Sequence, residues 1–516
     1  MNKEDDYAPG MPFGESPGKI IAMALHPLAD LTSNEIDRAR NLVQEKHPRI
    51  LLSFKAITLE EPDKKSMLEY LEAEHAGKSA TRPDRIAYCA YYFRGTAKFL
   101  TAEVNLTTGQ TQVAEHEGDG VHGNVDFGEV LEVEQAVMKC SEVQAEIDKL
   151  KLPGHLEVIP EPWIFGSDGV DDLNRHFQVY MFIREKGKLD SNHYARPLAF
   201  SPIFDPTNMK LVKIQQISTG PDHNVHEQGA YKDQPPNEYV PNEVQLRTDL
   251  QPLHVVQPNG PSFQITKDRV LTWQKWQMRI GFNYREGPVL RDVRYILMFI
   301  FNQAGEMEYQ VRATGILSTS AIDEGVTVDF GTVVHPGVLA AHHQHILSLR
   351  IDPIIGSYLH GNTVVQQEAQ AMPLDEHNPH GNGYRVVKTD ITTEGGHDLD
   401  WSKSRVFSVK NPHLSNPVNG LPISYKLMFP PVPPLLSHPS SFNAKRAEFA
   451  DHHLYVTKYR PNELYSGGTF TNQSRGDTGI KSWIAKNQAS TVDQDVVLWV
   501  QFGLNHVTRI EDFPVM

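Results

Sequence analysis

Three histidines in four residues, His342-His343-Gln344-His345, lie inside an apolar, strand-like run from Val338 to Arg350. Successive side chains on a strand alternate between faces, so His343 and His345 project from one side and His342 from the other. Two imidazoles on one face can close on a single metal ion, and a third ligand must then come from elsewhere in the chain. The spacing alone also describes a histidine-rich buried strand whose imidazoles hydrogen-bond to their neighbours. A candidate third ligand is His506, which follows the strand-like stretch Asp495–Phe502 and Gly503 and stands beside Arg509, Glu511 and Asp512. His452 and His453 read as packing or hydrogen-bonding near such a site, and His377, His380 and His397 as solvated residues of polar loops.

The elements that must position these residues divide the chain. Residues 1–18 are polar, with acidic residues, Pro and Gly, and read as a disordered lead. A small α+β unit is expected over 19–118. Thr32-Ser33-Asn34-Glu35 has capping-box spacing, and Ile36, Ala39 and Val43 follow at helical spacing. A second helix is expected over Pro62–Glu74, with strands over Ile50–Leu59, Arg85–Phe93 and Lys98–Val104. A second unit of the same kind spans 124–220, with one helix from about Val133 to Lys149. Its strands are expected at Leu156–Ile159, His176–Arg184, Arg196–Ile203 and Lys210–Ile217. Residues 221–247, rich in Pro, Asn and Gln, read as a linker or arm. Residues 248–516 hold short strands separated by Gly, Pro and Asn, the pattern of a large β-sandwich. The expected fold class is therefore small α+β domains followed by a large all-β sandwich domain.

Composition narrows the partners. A chain of 516 residues is too long for one core. Its 39% hydrophobic and 22% charged residues are those of a soluble globular protein. A net charge of −15 speaks against nucleic acid or an anionic membrane as the main partner. Cys89 and Cys140, in different units, read as free, buried thiols in a reducing compartment. The amino terminus has no basic-then-apolar leader and no run of 18 apolar residues occurs, so an intracellular location is expected. Pro514-Val515-Met516 is not a recognised peroxisomal tripeptide.

The chain resembles the copper-containing amine oxidases, fungal-like, which make a topaquinone cofactor from one of their own tyrosines. The likeness is carried by Val311–Leu317 with the His-x-His strand, by Lys445-Arg446-Ala447 and His453–Tyr459, and by 495–516. Glu61-Pro62-Asp63-Lys64 and Pro160-Glu161-Pro162-Trp163 resemble the two small preceding domains. The resemblance implies copper held by His343, His345 and His506, and three neutral imidazoles with open positions suit Cu(II). It implies oxidation of small primary amines by dioxygen, with water consumed and aldehyde, ammonia and hydrogen peroxide produced. It further implies a homodimer, a cytoplasmic or peroxisomal enzyme, and a structural calcium-like ion at Asp352 and Asp495. The family often has another carboxylate two residues after the first, where this chain has Ile354. Trp163 is a candidate for the channel wall, beside a structural reading.

Two parts of that chemistry find no residue. The family needs a tyrosine in an Asn-Tyr-(Asp/Glu)-Tyr motif and an upstream aspartate that removes the substrate's α-proton. Phe282–Tyr295 resembles the strand before the base segment, and Tyr295–Gly305 the strand that begins at the quinone motif. The two meet at Tyr295, so a domain-sized block is missing between them, on the order of a hundred residues. Aligned from the downstream side, the precursor's place falls on Val293, which has no ring to oxidise. Asp292 belongs to the strand entry and not to the base motif. Neither catalytic residue is identifiable, and the expectation is copper without a quinone, in a sandwich with exposed core faces. A non-catalytic copper-binding relative and a mis-spliced or mis-predicted gene product are the other readings.

Overall fold

A computed structural model describes residues 25–515 except 117–119, 167–168, 171–172, 222–228, 236, 267–268, 275, 286, 292–297, 312, 357–359 and 431. The lead, 1–18, and the junction residues Asp292, Val293 and Tyr295 lie outside the described residues.

The first unit opens on the cap read from the sequence. Thr32 Oγ1 accepts from the Glu35 N–H at 3.3 Å, and Glu35 Oε2 accepts from the Thr32 N–H at 2.9 Å. The helix they start, Ser33–Lys46, buries Ala39 and Val43 against a four-stranded antiparallel meander. Its strands are Leu52–Glu60, Ile86–Phe93, Phe99–Asn105 and Thr111–Glu115, paired in sequence order. The last of these was not expected. It is an edge strand with four of five residues exposed, so no alternation of apolar residues marks it.

The second unit repeats the plan, with strands Leu156–Ile164, Phe177–Glu185, Phe200–Asp205 and Lys210–Gln216 in sequence order. Here the single expected helix is two, Phe127–Lys139 and Ser141–Lys149, separated by Cys140 in an extended conformation. Val133, Val137 and Val143 all enter one core cluster. Six residues part Val137 from Val143, which at about 100° per residue would leave them about 120° apart on one continuous helix. The break at Cys140 rephases the chain so that both helices face the sheet.

The remaining chain is β-rich, as its turn spacing implied. One sheet takes the order Gly395–His397, Leu454–Lys458, Val496–His506, His343–Ile351, and a second the order Tyr384–Asp390, Thr363–Ala371, Val406–Ser415, Pro422–Leu427. Between them lies a core of Val364, Phe407, Val409, Leu454, Val456, Val496 and Leu498. Two short helices, Phe442–Arg446 and Ile480–Asn487, sit in the connections. Neither is long enough to impose a visible period. Small α+β units thus precede a large β domain. Among the described residues no helix is long and apolar enough to cross a membrane.

Candidate metal centre

Antiparallel pairing of His343–Ile351 with Val496–His506 sets His343 directly opposite His506, and His345 opposite Leu504. Directly opposed residues share a face. The strand period therefore brings His343, His345 and His506 together, and their ligand atoms lie within 4.8 Å of one another. Gly503 makes this pairing possible, because a Cβ there would stand 1.9 Å from the His345 carbonyl oxygen.

The outer nitrogens fix which atoms face inward. His343 Nδ1–H donates to the Ala341 carbonyl at 2.9 Å, leaving Nε2 with a lone pair. His506 Nε2–H donates to the Asp512 carboxylate at 3.1 Å, leaving Nδ1 free. Asp512 is 4% exposed. Hydrogen bonds from the Arg509 guanidinium hold its carboxyl far below the usual range, against the effect of burial and with help from His506. His506 Nδ1 and His343 Nε2 face each other at 3.3 Å, where they share a proton as a hydrogen bond or, in the tautomers just described, turn two lone pairs toward a cation between them. Metal–imidazole bonds of about 2.0–2.1 Å keep two ligating nitrogens within about 4.2 Å of each other. The His343–His506 pair already meets this limit, and the His345 ligand atom lies within 4.8 Å of both. Burial, and then its two histidine neighbours, lower the pKa of His345, which favours the neutral ligand form. Carboxylate and carbonyl groups behind imidazoles are the usual outer shell of a metal site.

His342 points away, as its place in the alternation requires, and its Nδ1 accepts from the Thr508 N–H at 3.2 Å.

The family description "Copper amine oxidase, enzyme domain" matches residues 294–516. The N2 and N3 domain descriptions of the same family match 26–110 and 128–234. Copper amine oxidase 1 of Aspergillus niger is 30% identical over 96% of this chain and 93% of its own length. The chain belongs to the copper amine oxidase family. The peroxisomal primary amine oxidase of Pichia angusta is 24% identical, covering 93% of this chain and 87% of that protein. A solved structure of a copper-containing benzylamine oxidase from Hansenula polymorpha superposes with a TM-score of 0.90 at 30% identity, covering 95% of this chain and 96% of the other. By family, the protein is an oxidoreductase of the primary-amine oxidase class.

Other sequence candidates in this amine oxidase chain fall elsewhere. His452 and His453 each donate from Nδ1 to Asp398, at 2.9 and 2.8 Å. His397 is not a solvated loop residue. It ends the Gly395–His397 strand, half-buried, with Nε2 enclosed and without a hydrogen-bond partner. Burial, with the neighbouring His452 charge, lowers its pKa. His377 and His380 are exposed, as expected. Trp163 is 55% exposed on the second unit's first strand. Cys89 is buried, which pushes its thiol up to about 12, whereas Cys140 is half-buried and donates to Glu142 at 3.2 Å.

Asp352 and Asp495 do converge, but on Lys64, whose Nζ lies 2.5 Å from Asp352 Oδ1 and 2.6 Å from Asp495 Oδ1. Burial raises the Asp495 pKa above its ordinary value, while the Lys64 hydrogen bond and charge draw it back. Lys64 and Asp512 were not singled out from the sequence. The signal for Asp512 was present in the Arg509-Ile510-Glu511-Asp512 group after His506. Lys64 stood in the Glu61-Pro62-Asp63-Lys64 segment, but nothing there tied it to partners 288 and 431 residues away.

The sheet face that carries the histidines continues into an open cleft of about 2300 Å³. His345, Leu347, Leu349 and Ile351 line it from one strand, and Leu498, Val500, Phe502 and Leu504 from its neighbour. Tyr425, at 56% exposure, and Met428, at 76%, are large apolar side chains left uncovered on its rim.

Proposed function

We propose that this chain is a copper-binding member of the amine oxidase family that lacks the quinone half of the family's chemistry. His343 and His345, with His506 through Nδ1, are the ligands in this reading. Copper, when bound, supplies the redox and dioxygen chemistry with which the family makes its quinone and oxidises primary amines. The protein's own contribution is orientation. The Ala341 carbonyl and Asp512 hold two imidazoles in the tautomers that present lone pairs inward, and the paired strands set the spacing.

One observation carries the proposal of a missing block. The alignment with the Aspergillus niger relative runs over 632 positions, but 96% of this 516-residue chain is about 495 residues. About 137 positions therefore face gaps on this side. The cleft supports the same reading, since the strand residues that form one of its walls alternate as core residues do. We propose a homodimer, as the family resemblance implies. Small primary amines and dioxygen are the family's substrates, and a cytoplasmic or peroxisomal location is proposed with them.

No residue of this chain is assigned as quinone precursor or base. Covalent catalysis through a carbonyl group needs both that carbonyl and a base within hydrogen-bond reach. The purified chain should bind copper, lose it in His343→Ala, and give neither a quinone absorption band nor a phenylhydrazine adduct. An adduct would refute the quinone-free reading, and unchanged copper stoichiometry in His343→Ala would refute the ligand set. The alignment gap also favours a second reading, in which the natural protein carries the block and this sequence omits it. Transcript reads across the Tyr295 codon that contain an inserted Asn-Tyr-(Asp/Glu)-Tyr segment would establish that reading.

A further inference from the structure

We infer that Lys64 takes the place of the calcium-like ion expected at Asp352 and Asp495, so that a tethered ammonium ties the N2 unit to the enzyme domain. Lys64 opens the helix Lys64–His75, and Asp63 caps that helix by accepting from the Ser66 N–H at 3.1 Å. Its backbone is therefore fixed where its side chain must reach across. The ammonium lies between the two carboxylates and 4.4 Å from the centre of the Tyr459 ring. Lysine has three N–H donors and no acceptor. Two are used on carboxylates and the third side is covered by an aromatic face, which attracts a cation.

The donor set does not fit calcium. That ion takes about 6–8 oxygen ligands at about 2.3–2.6 Å. Among the described residues two carboxylates meet the Lys64 ammonium, and position 354, where the resemblance expects another, is Ile354. Arg350 also donates to the second oxygen of Asp352, at 3.4 Å. Lys64 and Arg350 offset the two aspartates, and an added divalent ion would leave the cluster positive beside a fixed ammonium. The Lys64 side chain is 15% exposed, so water screens the contact only in part. The inference is independent of the copper assignment, because none of these residues touches the histidines.

The test uses the full chain and an internal control. Lys65, the next residue, is exposed. Amine acetylation with acetic anhydride, read by peptide mass spectrometry, should modify Lys64 several-fold more slowly than Lys65. In the Asp352→Asn/Asp495→Asn double variant the Lys64 rate should rise to that of Lys65. Equilibrium dialysis of the unmodified chain against CaCl2 should leave no stoichiometric calcium. A calcium ion bound per chain and lost in the double variant would overturn the inference. So would equal labelling of Lys64 and Lys65 in the wild type, or a Lys64 protection that survives loss of both carboxylates. The two wild-type measurements stand even if the double variant does not fold. Copper content of the same samples reports on the histidine site separately.

Discussion

Asp512 offers the sharpest test of how the histidine site is organised. It touches no ligand atom of a bound metal, yet it determines which nitrogen of His506 faces His343. Its carboxylate accepts from His506 Nε2–H at 3.1 Å, and from the Arg509 backbone N–H and guanidinium at 3.0 and 2.5 Å. Replacement by Leu removes the acceptor, frees the imidazole to place its proton on Nδ1, and strips one negative charge from behind a cation site. Replacement by Asn removes the charge but leaves an amide oxygen that can still take the Nε2 proton. Loss of an outer-shell partner of a metal-bound histidine typically costs about 10–100-fold in affinity. Asp512→Asn should therefore fall near the low end and Asp512→Leu near the high end. Competition of each variant against a chelator of known copper affinity at neutral pH measures this, and thermal unfolding of the metal-free proteins controls for loss of fold. Wild-type affinity in a folded Asp512→Leu would refute the orientation argument. Equal losses in the two variants would show that charge, and not the choice of tautomer, is what Asp512 supplies.

Other consequences follow from the same strands and their neighbours. Gly503→Ala would drive a methyl group into the His345 carbonyl, at a cost of about 3–5 kcal/mol. Denaturant unfolding should show this, and copper binding should be lost with the strand pairing; a variant of near-normal stability would contradict the register. The Asp398 pair should give a pH signature. Hydrogen bonding to Asp398 raises the pKa of His452, so the pair's contribution is full below the ordinary histidine value of about 6.5 and fades as pH rises through the raised one. Burial of Asp398 is outweighed by its two histidine donors, which hold its carboxyl far below the ordinary value of about 3.9, so that contribution fades only in acid. The Tm difference between wild type and Asp398→Asn should therefore peak at about pH 5–6 and shrink toward pH 9, and a flat difference would rule out the charged pair. The open cleft should bind a hydrophobic dye in the native chain, and absence of dye binding would mean that the apolar face is covered.

What could be read from the sequence depended on how local the cause was. His343 and His345 were legible because a period of two is a property of one strand. His506 was legible because it stands in a short, distinctive run, although its register against His343 is set by a pairing that no local pattern encodes. Asp512 stood beside His506 and was passed over, because a carboxylate near a histidine has many ordinary roles. Lys64 lay in a segment noted for its family likeness, but its role could not be read, since its partners lie 288 and 431 residues away and a lysine at a helix start is unremarkable. The break at Cys140 was hidden for the opposite reason. The composition of 133–149 suits one helix, and only the direction of the sheet beneath makes Val143 require a new phase.

The copper reading and the missing-block reading rest on one sheet face but not on the same forces. Along Val496–His506 the face is sealed at its start, where Val496 and Leu498 have no exposed surface, and it opens through Val500 at 9% to Leu504 at 42%. Burial thus fades toward the histidines, and no residue of His343–Ile351 is fully buried. Hydrophobic cover is therefore weakest where the metal would sit. The histidines are held instead by backbone pairing, by the close approach that Gly503 permits, and by the bonds to Ala341 and Asp512. None of those contacts comes from the region of the junction. A chain without the block can keep the three histidines in register while leaving the ground beside them open, and restoring the block should change access to the proposed copper site far more than which residues form it.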